Sequence, residues 1–398
     1  MMTGSIIIQK MNVIVWGINY IPELTGIAPF NSALCEFLVE RGCNVEMVTA
    51  FAYYPEWKKR KEDRCCIYRT DCVGGVKVHR CWAYVPRRVS AVRRMLHEGS
   101  FVLLSLLRVL FLNKPSVFVI VSPPLLLGIA AWIASVLKKA PFIFHVQDLQ
   151  PDAAVGLGML REGWLSRMLY RIESFVYAKA AKVSGISSGM LEMFRKKGVN
   201  ELKLILFPNG VRLPVEGSRR GLFRARNHIQ NETFLAVYSG NLGIKQGLDV
   251  LIDAANELQL REATESGRNA SVKMIMIVIA GDGARRAFLT ERIATLGIQN
   301  VLFLPLQSEI GYREMLSDAD CSLITQQSGT GSFFFPSKLL SALASGKPVL
   351  TVADDDSELA KAVHTGRFGI NVLPGRPDLL ANALLNLAKV ERKEIILQ

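Results

Sequence analysis

The feature that most constrains this chain is an alternation of short apolar runs with longer amphipathic stretches, repeated in two series around a polar break. In the first series Val13–Gly17, Asn44–Ala50, Val76–His79, Val117–Val121, Pro141–Val146 and Lys182–Gly185 have the length and β-branched content of buried strands. Between them Phe30–Arg41, Ser90–Leu112, Leu125–Lys139, Gly163–Ala181 and Ser187–Lys197 carry helical spacing. Strands joined through helices pair in parallel, so the pattern predicts a parallel sheet with helices on both faces. Ligands of such sheets bind beyond the carboxyl ends of the strands.

The break follows Pro208-Asn209-Gly210. Arg212–Glu232 is polar, with Pro214, Gly217 and several arginines, and reads as a linker. The second series begins with a strand at Phe234–Ser239 and a helix at Leu248–Leu258. A strand at Val272–Ala280 and a helix at Ala284–Leu296 follow, then strands at Val301–Leu304, Cys321–Thr325, Pro348–Val352 and Gly369–Val372. With 398 residues the chain exceeds what one core usually serves. The expectation is two α/β domains facing one another across a cleft, at residues 11–212 and 233–398, with 213–232 as linker.

Charge divides the halves. Up to residue 212 there are 28 Lys and Arg against 15 Asp and Glu; beyond it the count is 20 against 20. The whole surplus of +13 therefore sits in the first half of the chain and points to an anionic surface as the partner of the first domain. The basic residues lack the interleaved aromatics of a nucleic-acid motif, which favours a membrane. Pro86–Leu112 sharpens this, with Arg87, Arg88, Arg93 and Arg94 leading into SFVLLSLLRVLFL. The stretch fits a helix lying on anionic lipid, or an ordinary layer helix with an exposed basic end. The apolar runs Ser100–Leu107 and Pro123–Leu137 are shorter than the roughly 20 residues a bilayer core requires. The first ten residues lack the basic leader of a signal peptide and read as a start-site extension. Seven cysteines without metal-ligand spacing read as reduced thiols of a cytoplasmic protein.

Three loops in the second series have the chemistry of an anion site. Ser328–Val352, SGTGSFFFPSKLLSALASGKPVLTV, reads as a glycine loop, a helix opened by Pro336-Ser337-Lys338, and a buried strand. Gly329 and Gly331 permit close backbone approach, Ser337 can cap the helix, and Lys338 adds a cation to the helix start. YSGNLGIKQGLDVLIDA supplies a glycine turn with Gly240, Asn241 and Lys245. IVIAGDGARRAFL supplies Gly281-Asp282-Gly283 and two arginines. Loops that follow parallel strands share one edge of the sheet, so these three converge, and a diphosphate is the ligand they suit. In the first series Thr25-Gly26 follows the first strand, without the GxGxxG of a dinucleotide site. His145 and Asp148, in FHVQDLQPDAAVGLG, stand at a strand's carboxyl end; a histidine there is either a satisfied core residue or a site residue. Asp354-Asp355-Asp356 reads as helix-start charge rather than a metal-binding set.

These stretches resemble the glycosyltransferase family 4 enzymes of GT-B architecture, within the group that makes colanic acid, related exopolysaccharides and O-antigen. The likeness covers nearly all of residues 11–390 and rests on NYIPELTGIAPFNSALCEFLVERG, AYYPEW, VSPPLLLG, FHVQDLQPDAA, FPNGV, YSGNLGIKQGL, AGDGA and PSKLLSALASGKPV. It implies two Rossmann-like domains, a UDP- or GDP-sugar donor held mainly by the second, and a lipid-linked glycan acceptor held by the first. It implies metal-independent hexosyl transfer with retention, no cofactor, and a peripheral place on the inner face of the plasma membrane. His145 and Asp148 would then position acceptor and sugar, and Gly26 would lie against the diphosphate. Lys338 would stabilise the leaving group, helped by Gly240, Asn241, Lys245, Gly281, Gly283 and Ser337.

The chain departs from the family's pattern in three places. Two glutamates eight residues apart commonly precede the AxxGxPV turn; Phe333 and Ser341 stand there instead. The Arg and Lys that commonly hold the diphosphate fall on Asn241 and Gln246, with Lys245 one position away. Members commonly finish in a long helix that crosses back to the first domain, whereas this sequence stops at Gln398, soon after Asp378–Lys389. Those departures keep two other readings open: a nucleotide-sugar 2-epimerase on the same scaffold, and a non-catalytic partner subunit.

Overall fold

A computed structural model describes residues 11–23, 26–54, 56–88, 90–156, 160, 163–210, 220–265, 274–331 and 336–389. The first ten residues, Thr25, Phe333, and the chain after residue 389 lie outside them, as does the start of the expected strand at Val272. The chain divides into two compact units at Gly210 and Val211.

The first unit holds an eight-stranded sheet. Its strands are β1 (Asn12–Trp16), β2 (Asn44–Ala50), β3 (Tyr68–Val73), β4 (Val76–Cys81), β5 (Val117–Ser122), β6 (Phe142–Val146), β7 (Lys182–Gly185) and β8 (Leu204–Leu206). Their order is β3-β4-β2-β1-β5-β6-β7-β8, with every neighbour parallel except the β3–β4 hairpin. Among the described residues the α-helices between them are α1 (Ala28–Glu40), α2 (Ala91–Leu110), α3 (Leu127–Lys138), α4 (Gln150–Gly156), α5 (Trp164–Lys179) and α6 (Ser188–Lys196). Strands buried on both faces read as continuous apolar runs, which is why β1 is VIVW after its first residue and β5 is VFVIV before its last. The chain leaves β1 between β2 and β5, where the strand order reverses.

A buried charge cluster fixes the turn that follows β6. Lys197, just beyond α6, pairs with Asp152 of α4 and with Glu173 of α5, the latter at 2.6 Å. The Tyr177 hydroxyl donates to the second oxygen of Glu173 at 2.9 Å. Burial pushes the Glu173 carboxyl up and the Lys197 charge opposes it. Such a cluster adds little net stability, but removing one partner strands the others in a dry interior. Its structural effect is to lock α4, and with it the loop bearing Asp148.

The second unit holds six parallel strands: β9 (Phe234–Asn241), β10 (Ile275–Asp282), β11 (Val301–Leu304), β12 (Cys321–Thr325), β13 (Val349–Val352) and β14 (Gly369–Val372). Their order is β11-β10-β9-β12-β13-β14, and the reversal falls between β9 and β12. The helices are α7 (Leu222–Arg226), α8 (Asp249–Glu265), α9 (Arg286–Thr295), α10 (Glu309–Asp318), α11 (Lys338–Ala344), α12 (Glu358–Gly366) and α13 (Pro377–Lys389). Leu251, Ile252 and Ala255 of α8 pack with Leu380 and Leu384 of α13 over Ile277 and Ile279 of β10.

The stretch expected as linker is in part structural. Arg224 of α7 is buried and donates to Asp320 at 2.7 Å and to the carbonyls of Gln230, Thr233 and Asp318. Asp318 in turn accepts from the backbone N–H groups of Gly221 and Arg224. A guanidinium satisfied in this way is an anchor, so the described residues from 220 onward belong to the second unit. Among the described residues no helix is long and apolar enough to cross a membrane.

Candidate functional site

In the second unit the three anion-type loops do meet at one edge. Gly240 and Asn241 at the end of β9 pair in register with Gly281 and Asp282 of β10. Beyond the strands, the Leu242 N–H donates to the Asp282 carbonyl, Arg285 N–H to Leu242, and Gln327 N–H to Lys245. The glycines are required by this convergence itself. A Cβ on Gly281 would lie 1.9 Å from the Gly240 carbonyl oxygen, and one on Gly283 would lie 2.6 Å from the Leu242 oxygen. Room for the neighbouring chain explains them without a ligand.

The loop Ser328–Gly331 corrects the sequence reading most. Its Gly329 N–H donates to Asp354 at 2.7 Å, and the Ser328 hydroxyl donates to the same carboxylate at 2.8 Å. A Cβ on Gly331 would lie 2.3 Å from that of Ser357, so this glycine admits a chain neighbour. The anion this loop holds is the protein's own Asp354. Ser337 has helical dihedrals and makes no capping bond, so it does not cap α11. The arginines of AGDGARR are committed as well: Arg285 pairs with Asp249 at 2.7 Å, and Arg286 donates to the carbonyls of Gly281 and Leu304. Gln246 turns back to accept from the Gly243 N–H.

Among the described residues, Lys338 and Lys245 are the two lysines that border this edge. Lys338 extends from the first position of α11 across Gly240, and its ammonium donates to the Tyr238 hydroxyl and lies 3.8 Å above that ring. Burial, and then the charge of Lys245, push its pKa down to about 7. Lys245 is half-buried in the turn after β9. Asn241, whose carbonyl accepts from Tyr238 at 2.7 Å, completes the group. These residues sit at the reversal of the strand order, where an open α/β sheet binds its ligand.

In the first unit His145 closes into a network of the chain's own groups. It is 3 % exposed; Nε2 meets the Gln147 amide nitrogen at 2.8 Å and Nδ1 meets the Ser184 hydroxyl at 2.9 Å. The amide can only donate, so Nε2 is unprotonated and the Nδ1–H donates to Ser184. Burial pushes the imidazole pKa down to about 4, leaving it neutral at neutral pH. Gln147 and Asn209 of FPNGV exchange amide bonds at 2.7 and 2.8 Å, and Phe207 of the same motif packs edge-on against His145. Two motifs distant in sequence thus form one assembly. Asp148 is half-buried, and its charge acts on the Tyr54 phenol and on Arg94 of α2. Gly26 adopts φ +67°, which glycine tolerates best, and a Cβ there would lie 3.7 Å from Tyr54 Cε1.

Sequence reasoning missed Glu23, the group that organises this edge. Buried at 4 % exposure, it accepts from the Tyr53 and Tyr54 N–H groups at 2.8 and 2.9 Å and from Asn19 at 2.8 Å. Tyr53 then packs edge-to-face against His97 and Trp57. A carboxylate between Pro22 and Leu24, inside an apolar loop, was the available signal. Among the described residues no group of three or more His, Cys, Asp or Glu could hold a metal ion. Asp355 accepts from Asn371, and Asp354 is spent on the glycine loop.

Comparison with known proteins bears on this arrangement. Residues 25–210 match the family model described as a glycosyl transferase 4-like domain, and residues 220–395 match glycosyl transferases group 1. The chain is 30 % identical over 364 residues to the colanic acid biosynthesis glycosyl transferase WcaI of Escherichia coli, covering 89 % of this chain and 86 % of that one. It belongs to the family 4 glycosyltransferases. Solved structures similar to the transferase include HepE of Anabaena in complex with UDP and glucose, with a TM-score of 0.65 at 14 % identity, over 97 % of this chain and 94 % of that one. Sucrose-phosphate synthase of Thermosynechococcus elongatus gives a TM-score of 0.68 at 15 % identity, over 98 % and 94 %. Both share its GT-B fold, and the WcaI likeness places the transferase in polysaccharide biosynthesis.

Proposed function

We propose that this glycosyltransferase moves a hexose or deoxyhexose from a UDP- or GDP-sugar to a lipid-linked oligosaccharide, with retention at the anomeric carbon, in exopolysaccharide, colanic-acid-like or O-antigen synthesis. The observation that carries the donor half is Lys338, whose ammonium is seated at the strand reversal of the second unit beside Lys245. The complexes of HepE with UDP and UDP-glucose, on the same fold, support a nucleotide-sugar there. As the glycosidic bond breaks, negative charge grows on the departing diphosphate. Preorganised cations at that point stabilise the transition state more than the ground state. We take the two lysines, rather than a metal ion, as the counter-charge.

On the acceptor side His145 is a neutral group whose two ring nitrogens are taken by Ser184 and Gln147, so it would position the acceptor by fixing Gln147 at this edge rather than by carrying charge. Asp148, with Arg94 and Tyr54, would orient hydroxyl groups of acceptor and sugar, and Gly26 would let the donor's diphosphate pass close to the backbone. The basic first unit would rest on the anionic inner face of the plasma membrane, giving a cytoplasmic, peripheral enzyme. The deciding experiment is Lys338→Ala, assayed for donor hydrolysis and for transfer to a lipid-linked acceptor. Loss of at least about a hundredfold in turnover with an unchanged circular dichroism spectrum is expected, in line with removal of one transition-state charge contact. Turnover within a few-fold of the parent would refute the role. A new glycoside, rather than a free epimer, is the expected product.

A further inference from the structure

Lys338 reaches the donor edge along a constrained route. Its stem crosses the backbone at Gly240, where φ is +137° and a Cβ would lie 2.4 Å from Lys338 Cε. Its amine ends over the face of Tyr238 and donates to that phenol, which donates onward to the Asn241 carbonyl. Tyr238 is fully buried, with no exposed surface. Lys338 as a whole is half-buried, and its amine ends against this buried aromatic ring as its seat. The surrounding charges make the seat a poor one for a cation. Lys245, on the turn after β9, repels it. On the β10 side Arg285 is held by Asp249, Arg286 by backbone carbonyls, and Asp282 by the Gly283 N–H. On the β12 and β13 side Asp354 is spent on Ser328 and Gly329. The ring face attracts an ammonium, yet burial and Lys245 outweigh it and bring the amine's titration close to neutrality.

We propose that Lys338 takes up a proton as the donor's diphosphate arrives, and that Tyr238 is the positioning residue that seats the amine for that event. The inference rests on the donor-site reading above. The proton comes from solvent, no bond of the donor changes, and the resulting ammonium donates to a diphosphate oxygen. A bound dianion raises the amine's pKa, so binding is favoured at pH below the resting value and weakens as pH rises through it towards the bound value. A full-time cation would be stabilised equally well at any pH in this range. The seat makes donor affinity depend on pH.

The test is calorimetric titration of the full chain with UDP-glucose and GDP-mannose, whose diphosphodiesters have no group titrating near neutrality. It is run between about pH 6 and 9 in buffers of different ionisation enthalpy. The parent protein is expected to take up most of one proton near pH 8, and its affinity to fall up to about tenfold per unit above pH 7. Lys338→Arg should bind with no proton uptake, because its guanidinium stays charged throughout. Tyr238→Phe keeps the ring and should bind while shifting the midpoint of the uptake profile, a change that mere loosening of the fold would not produce. Binding by the parent without uptake, or equal uptake by Lys338→Arg, overturns the proposal. If Lys338→Ala then still abolishes binding, the donor site stands and only the proton linkage falls. If Lys338→Ala binds as tightly as the parent, or neither nucleotide-sugar binds the parent, the donor-site reading falls with it.

Discussion

Glu23 joins two loops with a single carboxylate. One oxygen receives the consecutive N–H groups of Tyr53 and Tyr54, and the other receives Asn19. Burial pushes its carboxyl up, while these three donors favour the charged form and pull it back. Glu23→Ala would leave two backbone donors in a dry interior, each costing about 1–3 kcal/mol. We expect about 2–4 kcal/mol of destabilisation from that variant, and about 1 kcal/mol from Glu23→Gln, whose amide oxygen can still accept both N–H groups. Denaturant titration of the two variants checks this; equal losses would mean that the hydrogen bonds are not what Glu23 contributes. The same scale explains why individual glycines misled the reading of the loops. Gly281, Gly283 and Gly331 have the residue type of a phosphate loop, but each is small because another part of the chain occupies the space a Cβ would take.

At the scale of an element, α2 is the unusual one. His97, Phe101, Ser105 and Val109 line its buried face. Its outer face is also apolar, with Val92, Leu96, Leu103, Leu107 and, just beyond the helix, Phe111 exposed. An ordinary layer helix puts polar residues there. Its first turn carries Arg93 and Arg94 and no acid, placing positive charge at the positive end of the helix dipole. Arg87 and Arg88 add to it from the preceding segment. Under the interfacial alternative, anionic headgroups would offset that charge and cover that face. The triple reversal Arg87→Glu, Arg88→Glu, Arg93→Glu should abolish co-sedimentation with phosphatidylglycerol vesicles. At about 1 kcal/mol per basic residue near such a surface, the loss exceeds about a hundredfold. Unchanged binding by the triple variant would remove the membrane from the functional reading.

For the whole molecule, acid should act first through the first unit. His97 and His145 are buried there and neutral, each pushed down to about 4 by burial. The unfolded chain binds protons at these sites near pH 6.5, well before the folded one does. Stability is therefore full above pH 6.5 and is lost as pH falls towards 4, by at most about 3 kcal/mol per histidine. Glu23 and Glu173, whose carboxyls burial pushes up, temper the loss. The melting temperature should fall over this interval, and the slope should flatten in His97→Phe and His145→Asn. A profile equally steep in both variants would assign the acid sensitivity to other groups.

Most of the strand and helix alternation was legible because apolar periodicity is a local property. The strands that escaped are informative. β3 is an amphipathic edge strand, visible only through the Gly74-Gly75 hairpin turn, and β8 is three residues long. The helix α7 escaped because Arg224 looks like a linker arginine until Asp318 and Asp320, nearly a hundred residues away, are placed around it. Sequence alone determined the parallel α/β character of both units, the shared edge on which the second unit's loops end, and the concentration of positive charge in the first. All three follow from the order and type of neighbouring residues. Only the tertiary structure decided what each polar group at those edges has left to offer. It gave Gly329 to Asp354, Arg285 to Asp249 and His145 to Gln147 and Ser184, and it laid Lys338 on Tyr238. A side chain's availability depends on partners that folding brings from distant parts of the chain, and no local pattern records them.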